Sequence, residues 1–175
     1  MLFTMEQFIN LCLTAARGDN PEELIAEIVR DAFAVPHSIV EALGEPSRAT
    51  INKLYVSDEL TILDVIWPPK AKFLPHNHNT WAVIGVYQGR EENVFWRRIK
   101  DDSDGKIEVE STRSVVSGQV VSLSRNLIHS VTNPLSSPTR AIHVYGGNFF
   151  ALERSEWNPT TLIEQPYDVA KNIGG

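Results

Sequence analysis

At 175 residues the chain has the length of one domain with its own hydrophobic core, and 42% hydrophobic with 22% charged residues is an ordinary globular composition. A formal charge of −6 and a pI near 5.3 exclude a phosphate-backbone binder, which needs a clustered excess of Lys and Arg. The N-terminal sequence has no basic stretch leading into an apolar core and no run approaches the ~18 apolar residues of a membrane span, so neither nucleic acid nor membrane is an expected partner and cytoplasmic residence is expected.

Residues 4–17 read as a helix: Thr4 with Gln7 makes a capping box, Phe8, Leu11, Cys12 and Ala15 share a face, and Gly18 stops it. Cys12, the single cysteine, is expected to be a buried structural thiol on that face. A second helix starts at the N-cap Asn20 with Pro21 in its first turn and Glu22 and Glu23 at the positive end of the dipole. Its buried face is Leu24, Ile25, Ile28, Val29, Ala32 and Phe33, and Pro36 ends the segment. His37 is expected to be exposed, ahead of a short helical piece from Ser38 to Leu43.

From about residue 49 the pattern changes to short β-rich runs separated by Gly, Pro, Asp and Ser, the signature of a β-barrel or sandwich. Strands are expected at 49–56, 60–67, 71–76, 80–88, 92–99, 106–111, 119–123, 128–132, 139–146 and 149–153. The run 101–105, ending in Gly105, is a turn between two hairpin strands, and Arg97, Arg98 and Lys100, interspersed with acidic residues, form a solvated hairpin edge. The tail after Trp157-Asn158-Pro159 loses periodicity and is expected to wrap over the barrel. The expected organisation is thus a helical segment 1–45, a barrel 46–155 and a tail 156–175 within one domain.

Five histidines occur, four of them in the β-rich region. His76 and His78 are one residue apart, so on an extended strand both rings leave the same face, as two ligands of one metal require. A short His-x-His is common by chance, and a lone barrel histidine is usually a hydrogen-bonded structural residue. Further residues are what single this pair out. His76-Asn77-His78 followed by Gly89, and Gly118, Ser124, His129 and Asn133 at their spacing, resemble the two cupin motifs over about residues 60–147. The resemblance implies a mainly β double-stranded β-helix, the cupin or jelly-roll barrel, here with N-terminal helices, and a metal held by His76, His78 and His129 in its mouth. Two departures stand out. Ala82 occupies the place of the motif's metal-binding Glu, and Ser124 and Asn126 replace the usual Pro and Gly, altering the turn before His129.

A three-histidine set without the carboxylate is similar to that of thiol dioxygenases of the cysteine dioxygenase type. Trp67, Gln88-Gly89, the His78-to-His129 spacing and His143-Val144-Tyr145 share in that likeness. It implies iron(II) as the metal, with Ni(II), Zn(II) or Mn(II) as alternatives, a small thiol and O₂ as substrates, and a sulfinic acid as product. His143 would orient Tyr145, whose hydroxyl would meet the substrate or oxygen. The family's cysteine–tyrosine cross-link cannot form, because the corresponding stretch is Trp81-Ala82-Val83. The arginine that holds a substrate carboxylate has no aligned counterpart; Lys53, Arg48, Arg97 and Arg140 are the basic candidates. Two other classes fit the same motifs: a metal-dependent isomerase, lyase or hydrolase, and a non-catalytic cupin that binds a small ligand. Trp67, Trp81 and Trp96 are expected in the core or pocket wall, Asn133 as a turn-former before Pro134, and Gly146-Gly147 at a bend.

Overall fold

The change from helical to alternating hydrophobic spacing falls between three helices and a run of strands. The computed structural model describes residues 4–35, 37–45 and 48–168; Pro36, expected to end the second helix, and the tail beyond residue 168 lie outside them. In α1 (Met5–Ala16) the Thr4 hydroxyl accepts from the Gln7 amide at 3.4 Å. In α2 (Pro21–Phe33) proline opens the first turn, and Asn20 caps by position without a side-chain bond. α3 (Ser38–Leu43) follows the exposed His37. The buried faces are narrower than the periodicity suggests: Leu11 and Leu24 are 55% and 41% exposed. Both lie at the margin of their apolar stripes, and a helix resting on a sheet buries only about 100° of its circumference.

The strands are β1 (Thr50–Val56), β2 (Leu60–Trp67), β3 (Lys72–Asn77), β4 (Ala82–Gln88), β5 (Arg90–Arg98), β6 (Ile107–Val116), β7 (Val120–Leu123), β8 (Ile128–Thr132), β9 (Thr139–Gly146), β10 (Ser155–Trp157) and β11 (Glu164–Pro166). They make two antiparallel sheets, ordered β1-β2-β9-β4-β7 and β11-β10-β3-β8-β5-β6. From β2 to β9 the chain crosses repeatedly between the sheets, which makes the fold a double-stranded β-helix with N-terminal helices, as expected. The expected strand at 149–153 is instead a turn. Its apolar residues are drawn inward rather than along a ladder, and Phe149 stacks on Tyr145 with 3.9 Å between ring centroids. The tail forms β10 and β11, three-residue strands too short to leave a periodic signal.

Helices α1 and α2 cover the outer face of the first sheet, so β2, β4 and β9 are buried on both faces. Outward residues Leu60, Ile62, Val83, Ile142 and Val144 pack with Phe8, Cys12, Ile25 and Val29, while Leu63, Val65, Ile84 and Ala141 face the barrel interior. Contact is closest at Gly85, where a Cβ would lie 2.5 Å from Val29 Cγ1. Gly89 ends β4 at φ +85°, a conformation open to glycine without strain. Cys12 is fully buried, and desolvation pushes its thiol pKa up to about 12, which agrees with a structural role. Arg140 also serves the outer face: it donates to the Tyr87 hydroxyl and to Gly44 O, each at 2.8 Å, and the Tyr87 hydroxyl in turn donates to buried Asp64 at 2.5 Å. Among the described residues no helix is long and apolar enough to cross a membrane.

Candidate metal centre

Strand pairing, more than sequence spacing, assembles the histidines. β3 and β8 run antiparallel with His76 directly opposite His129, so the two side chains leave the same face. The β3–β8 register shifts between Phe73 and His76, across Pro75, which has no N–H for a ladder bond. His78 follows just past the strand end and turns its ring to the other two. The Nε2 atoms of His78 and His129 are 3.3 Å apart, and the ligand atoms of His76, His78 and His129 all lie within 4.8 Å of one another. Ser124 and Asn126, the departures in the second motif, lie in the turn before β8, where Leu127 N donates to Ser124 O at 3.0 Å.

The tautomers suit a metal. His76 Nδ1 is 2.8 Å from Leu74 O, and His129 Nδ1 is 2.9 Å from Asn93 Oδ1. A carbonyl oxygen only accepts, so each Nδ1 carries the hydrogen and each Nε2 presents a lone pair. Two nitrogens each about 2.0–2.1 Å from one ion stand about 2.8–3.4 Å apart at octahedral to tetrahedral angles, and the His78–His129 separation of 3.3 Å lies in that range. Ala82, fully buried opposite Tyr145, adds no donor, so the set is three imidazoles without a carboxylate.

Desolvation is the main cause that lowers all the pKa values here: His76 to about 4, His143 to about 3, and His78 and His129 well below their ordinary value. Mutual repulsion adds to this for His78, His129 and His143, while the Leu74 carbonyl partly offsets it for His76. The cluster is therefore neutral at pH 7 before any metal arrives. The affinity for a divalent metal should be flat between pH 6 and 8, and calorimetric heats should be the same in buffers of different ionisation enthalpy. A proton released per ion bound would show that these imidazoles are charged in the free protein. Folding follows the same sign: the unfolded chain binds these protons near pH 6.5, the folded one at lower pH, so the histidines' contribution to stability is lost as pH falls through that interval.

The histidines line a cavity of about 50 Å³ together with Trp67, Tyr145, Phe149 and, at its rim, Arg154 and Tyr167. His143 Nδ1 is 2.8 Å from the Tyr145 hydroxyl, and both residues are buried. His143 Nε2 has no partner. An unpaired buried N–H costs more than an unpaired acceptor, which favours Nδ1–H donating to the phenol oxygen and leaves the Tyr145 proton free. Trp67 walls the cavity as expected, with its ring centroid 5.9 Å from that of His143. Trp96, half-buried, donates to Ser130 Oγ at 3.0 Å. Asn133 is fully buried and binds Pro68 O, Ser137 O and Leu135 N, a turn-forming role.

None of the four basic candidates Arg48, Lys53, Arg97 and Arg140 lines this cavity. Arg48 and Lys53 are exposed, Arg97 pairs with Glu108 at the surface, and Arg140 faces the helices. The guanidinium at the cavity is Arg154, 3.9 Å over the Phe149 ring and 4.2 Å over the Tyr167 ring. Its Nε is buried without a hydrogen bond, and among the described residues it forms no ion pair. Burial pulls its pKa below the ordinary value. Sequence reasoning missed it because it lies in irregular chain after β9, where the only signal is an Arg soon after Phe149-Phe150. Glu91 and Asn93, behind His129, were missed as well.

Comparison with known proteins finds no matching family model and no matching curated protein. Among solved structures, the chain is similar to an RmlC-like cupin with a double-stranded β-helix fold from Methanocaldococcus jannaschii, at 13% identity over 61% of this chain and 86% of that one, TM-score 0.48. An uncharacterised double-stranded β-helix protein from Klebsiella pneumoniae aligns at 12% identity over 67% of this chain and 87% of that one, TM-score 0.48. The DMSP lyase DddQ from Ruegeria pomeroyi aligns at 17% identity over 56% of this chain and 43% of that one, TM-score 0.42. No activity follows from likenesses of this kind.

Proposed function

We propose that the protein is a cupin-type non-haem iron(II) dioxygenase that converts a small thiol bearing a carboxylate to its sulfinic acid, R–SH + O₂ → R–SO₂H. The observation that carries this reading is a three-histidine cluster with no carboxylate donor, sharing one cavity with the Arg154 guanidinium, whose Nε has no hydrogen-bond partner, and with the His143–Tyr145 pair. Three neutral imidazoles leave the charge of a divalent ion uncompensated, which favours anionic co-ligands such as a thiolate. Iron(II) in this set supplies redox reactivity toward O₂ and lowers the pKa of the thiol.

The protein's own groups do the rest. Arg154 holds the carboxylate and so orients the sulfur toward the histidines. Tyr145, kept as a neutral phenol because burial raises its pKa, offers its proton to the substrate or to oxygen, while His143 holds the phenol oxygen. Phe149 and Trp67 exclude water. The cavity is small, about 50 Å³, and a thiol reaches it past its rim. Arg154 and Tyr167, which also face the open groove outside, are the rim.

The test is oxygen uptake by protein loaded anaerobically with iron(II), measured against cysteine, 3-mercaptopropionate and cysteamine, with His76→Ala as control. Uptake should depend on a carboxylate-bearing thiol, match sulfinate formed mole for mole, and vanish in the control. Tightly held iron without thiol-dependent uptake would move the reading to an isomerase, lyase or hydrolase. Loss of every metal with a small ligand still bound would leave a non-catalytic binding protein.

A further inference from the structure

Two buried polar side chains behind His129 have no part in the reaction above. Glu91 and Asn93 stand two residues apart on β5, 1% and 2% exposed, on the face that looks into the barrel. Glu91 Oε1 accepts the Trp67 indole N–H at 2.8 Å, and Asn93 Oδ1 lies 2.9 Å from His129 Nδ1. The Asn93 amide nitrogen lies close enough to Glu91 to lower its pKa, though outside hydrogen-bond geometry. Trp67, Glu91, Asn93 and His129 thus stand in line, hydrogen-bonded at both ends, with the Asn93 amide brought close to Glu91 between them.

We propose that Glu91 is a positioning residue: an acceptor-only stop that fixes the direction of this line and thereby the tautomer of His129. An asparagine amide can be turned over, exchanging its oxygen for its NH₂, and its neighbours decide which way it stands. With the oxygen toward His129, Nδ1 carries the hydrogen and Nε2 presents a free lone pair. Turned over, the NH₂ would face Nδ1 and require it to accept, moving the hydrogen to Nε2, where a metal would sit. A carboxylate cannot donate, so a turned Asn93 would press its oxygen against Glu91 in a desolvated interior. The indole can only donate, which closes the other end. Burial pushes the Glu91 pKa up to about 7, partly offset by Trp67 and Asn93, so the stop is strictest above neutrality.

The inference rests on reading the three histidines as a metal set and not on thiol chemistry, so its test uses no thiol. Co(II) affinity is measured by competition with a chromogenic chelator, and the His129 tautomer by ¹⁵N NMR of the metal-free protein. Glu91→Gln keeps size and shape but can donate, so it should weaken Co(II) about 10–100-fold, the usual effect of losing a ligand's outer partner. It should also populate the Nε2–H form of His129. Adding Asn93→Asp should restore affinity to within about threefold, because an aspartate has no amide to turn over and accepts from Nδ1–H in either orientation. Wild-type affinity and tautomer in Glu91→Gln would overturn the proposal, as would weakened affinity with an unchanged tautomer and no rescue. A wild type that binds no Co(II) would sink the metal reading itself, and the tautomer measurement would still decide whether Glu91 governs His129.

Discussion

Replacing His129 by alanine is expected to abolish metal retention and, with it, thiol-dependent oxygen uptake, while the barrel stays folded. Each imidazole is a third of the donor set, and no side chain stands ready to replace it: Ala82 has no donor, and no other carboxylate among the described residues joins the cluster. Loss of a ligand should exceed the 10–100-fold effect of losing an outer partner, so bound metal should fall to near zero at micromolar ion. His129 is 1% exposed, and its removal leaves a small void and an unpaired Asn93 oxygen, worth about 1–3 kcal/mol of destabilisation. Relief of repulsion among clustered imidazoles works the other way. Metal content by emission spectroscopy and folding by circular dichroism separate the two effects. A folded variant that retains one equivalent of metal would remove His129 from the ligand set.

Arg154→Gln is expected to raise KM for a carboxylate-bearing thiol about 10–100-fold, with a smaller loss in kcat, and to erase any preference over cysteamine. Net contributions of hydrogen bonds to charged groups are about 1.5–3 kcal/mol, which corresponds to that range. The guanidinium is held between Phe149 and Tyr167, so it loses little freedom on binding. Its unpaired Nε is a buried donor that a ligand oxygen would satisfy. Arg154→Lys should recover only part of the effect, because an ammonium stacks poorly and has no planar fork. Steady-state kinetics with matched acid and amine thiols provide the check. Unchanged KM and selectivity would take the carboxylate away from Arg154.

His76 and His78 were put on one face by local alternation, but it was the resemblance to the cupin motifs that singled the pair out. His129 was legible through the resemblance of its surrounding motif, and the structure adds the β3–β8 register that sets it opposite His76. His143 and Tyr145 were legible in the same way, two apart on β9, and their side chains meet at 2.8 Å. Leu11 and Leu24 misled because periodicity marks an apolar stripe without saying how much of it a neighbour covers. Residues 149–153 misled because an apolar run reads alike whether it extends along a ladder or folds inward onto Tyr145.

Short-range periodicity and capping were enough to locate the helices, most strands and a β-barrel or sandwich, and the resemblance to the cupin motifs supplied the double-stranded β-helix and the four histidines that gather in it. Arg154, Tyr167, Glu91 and Asn93 came to light only in the folded chain. Arg154 and Tyr167 reach the cavity from irregular chain after β9 and β11, and Glu91 and Asn93 matter because β5 lies beside β8. Which side chains meet across a barrel depends on sheet order and register, and those are set by the packing of the whole chain.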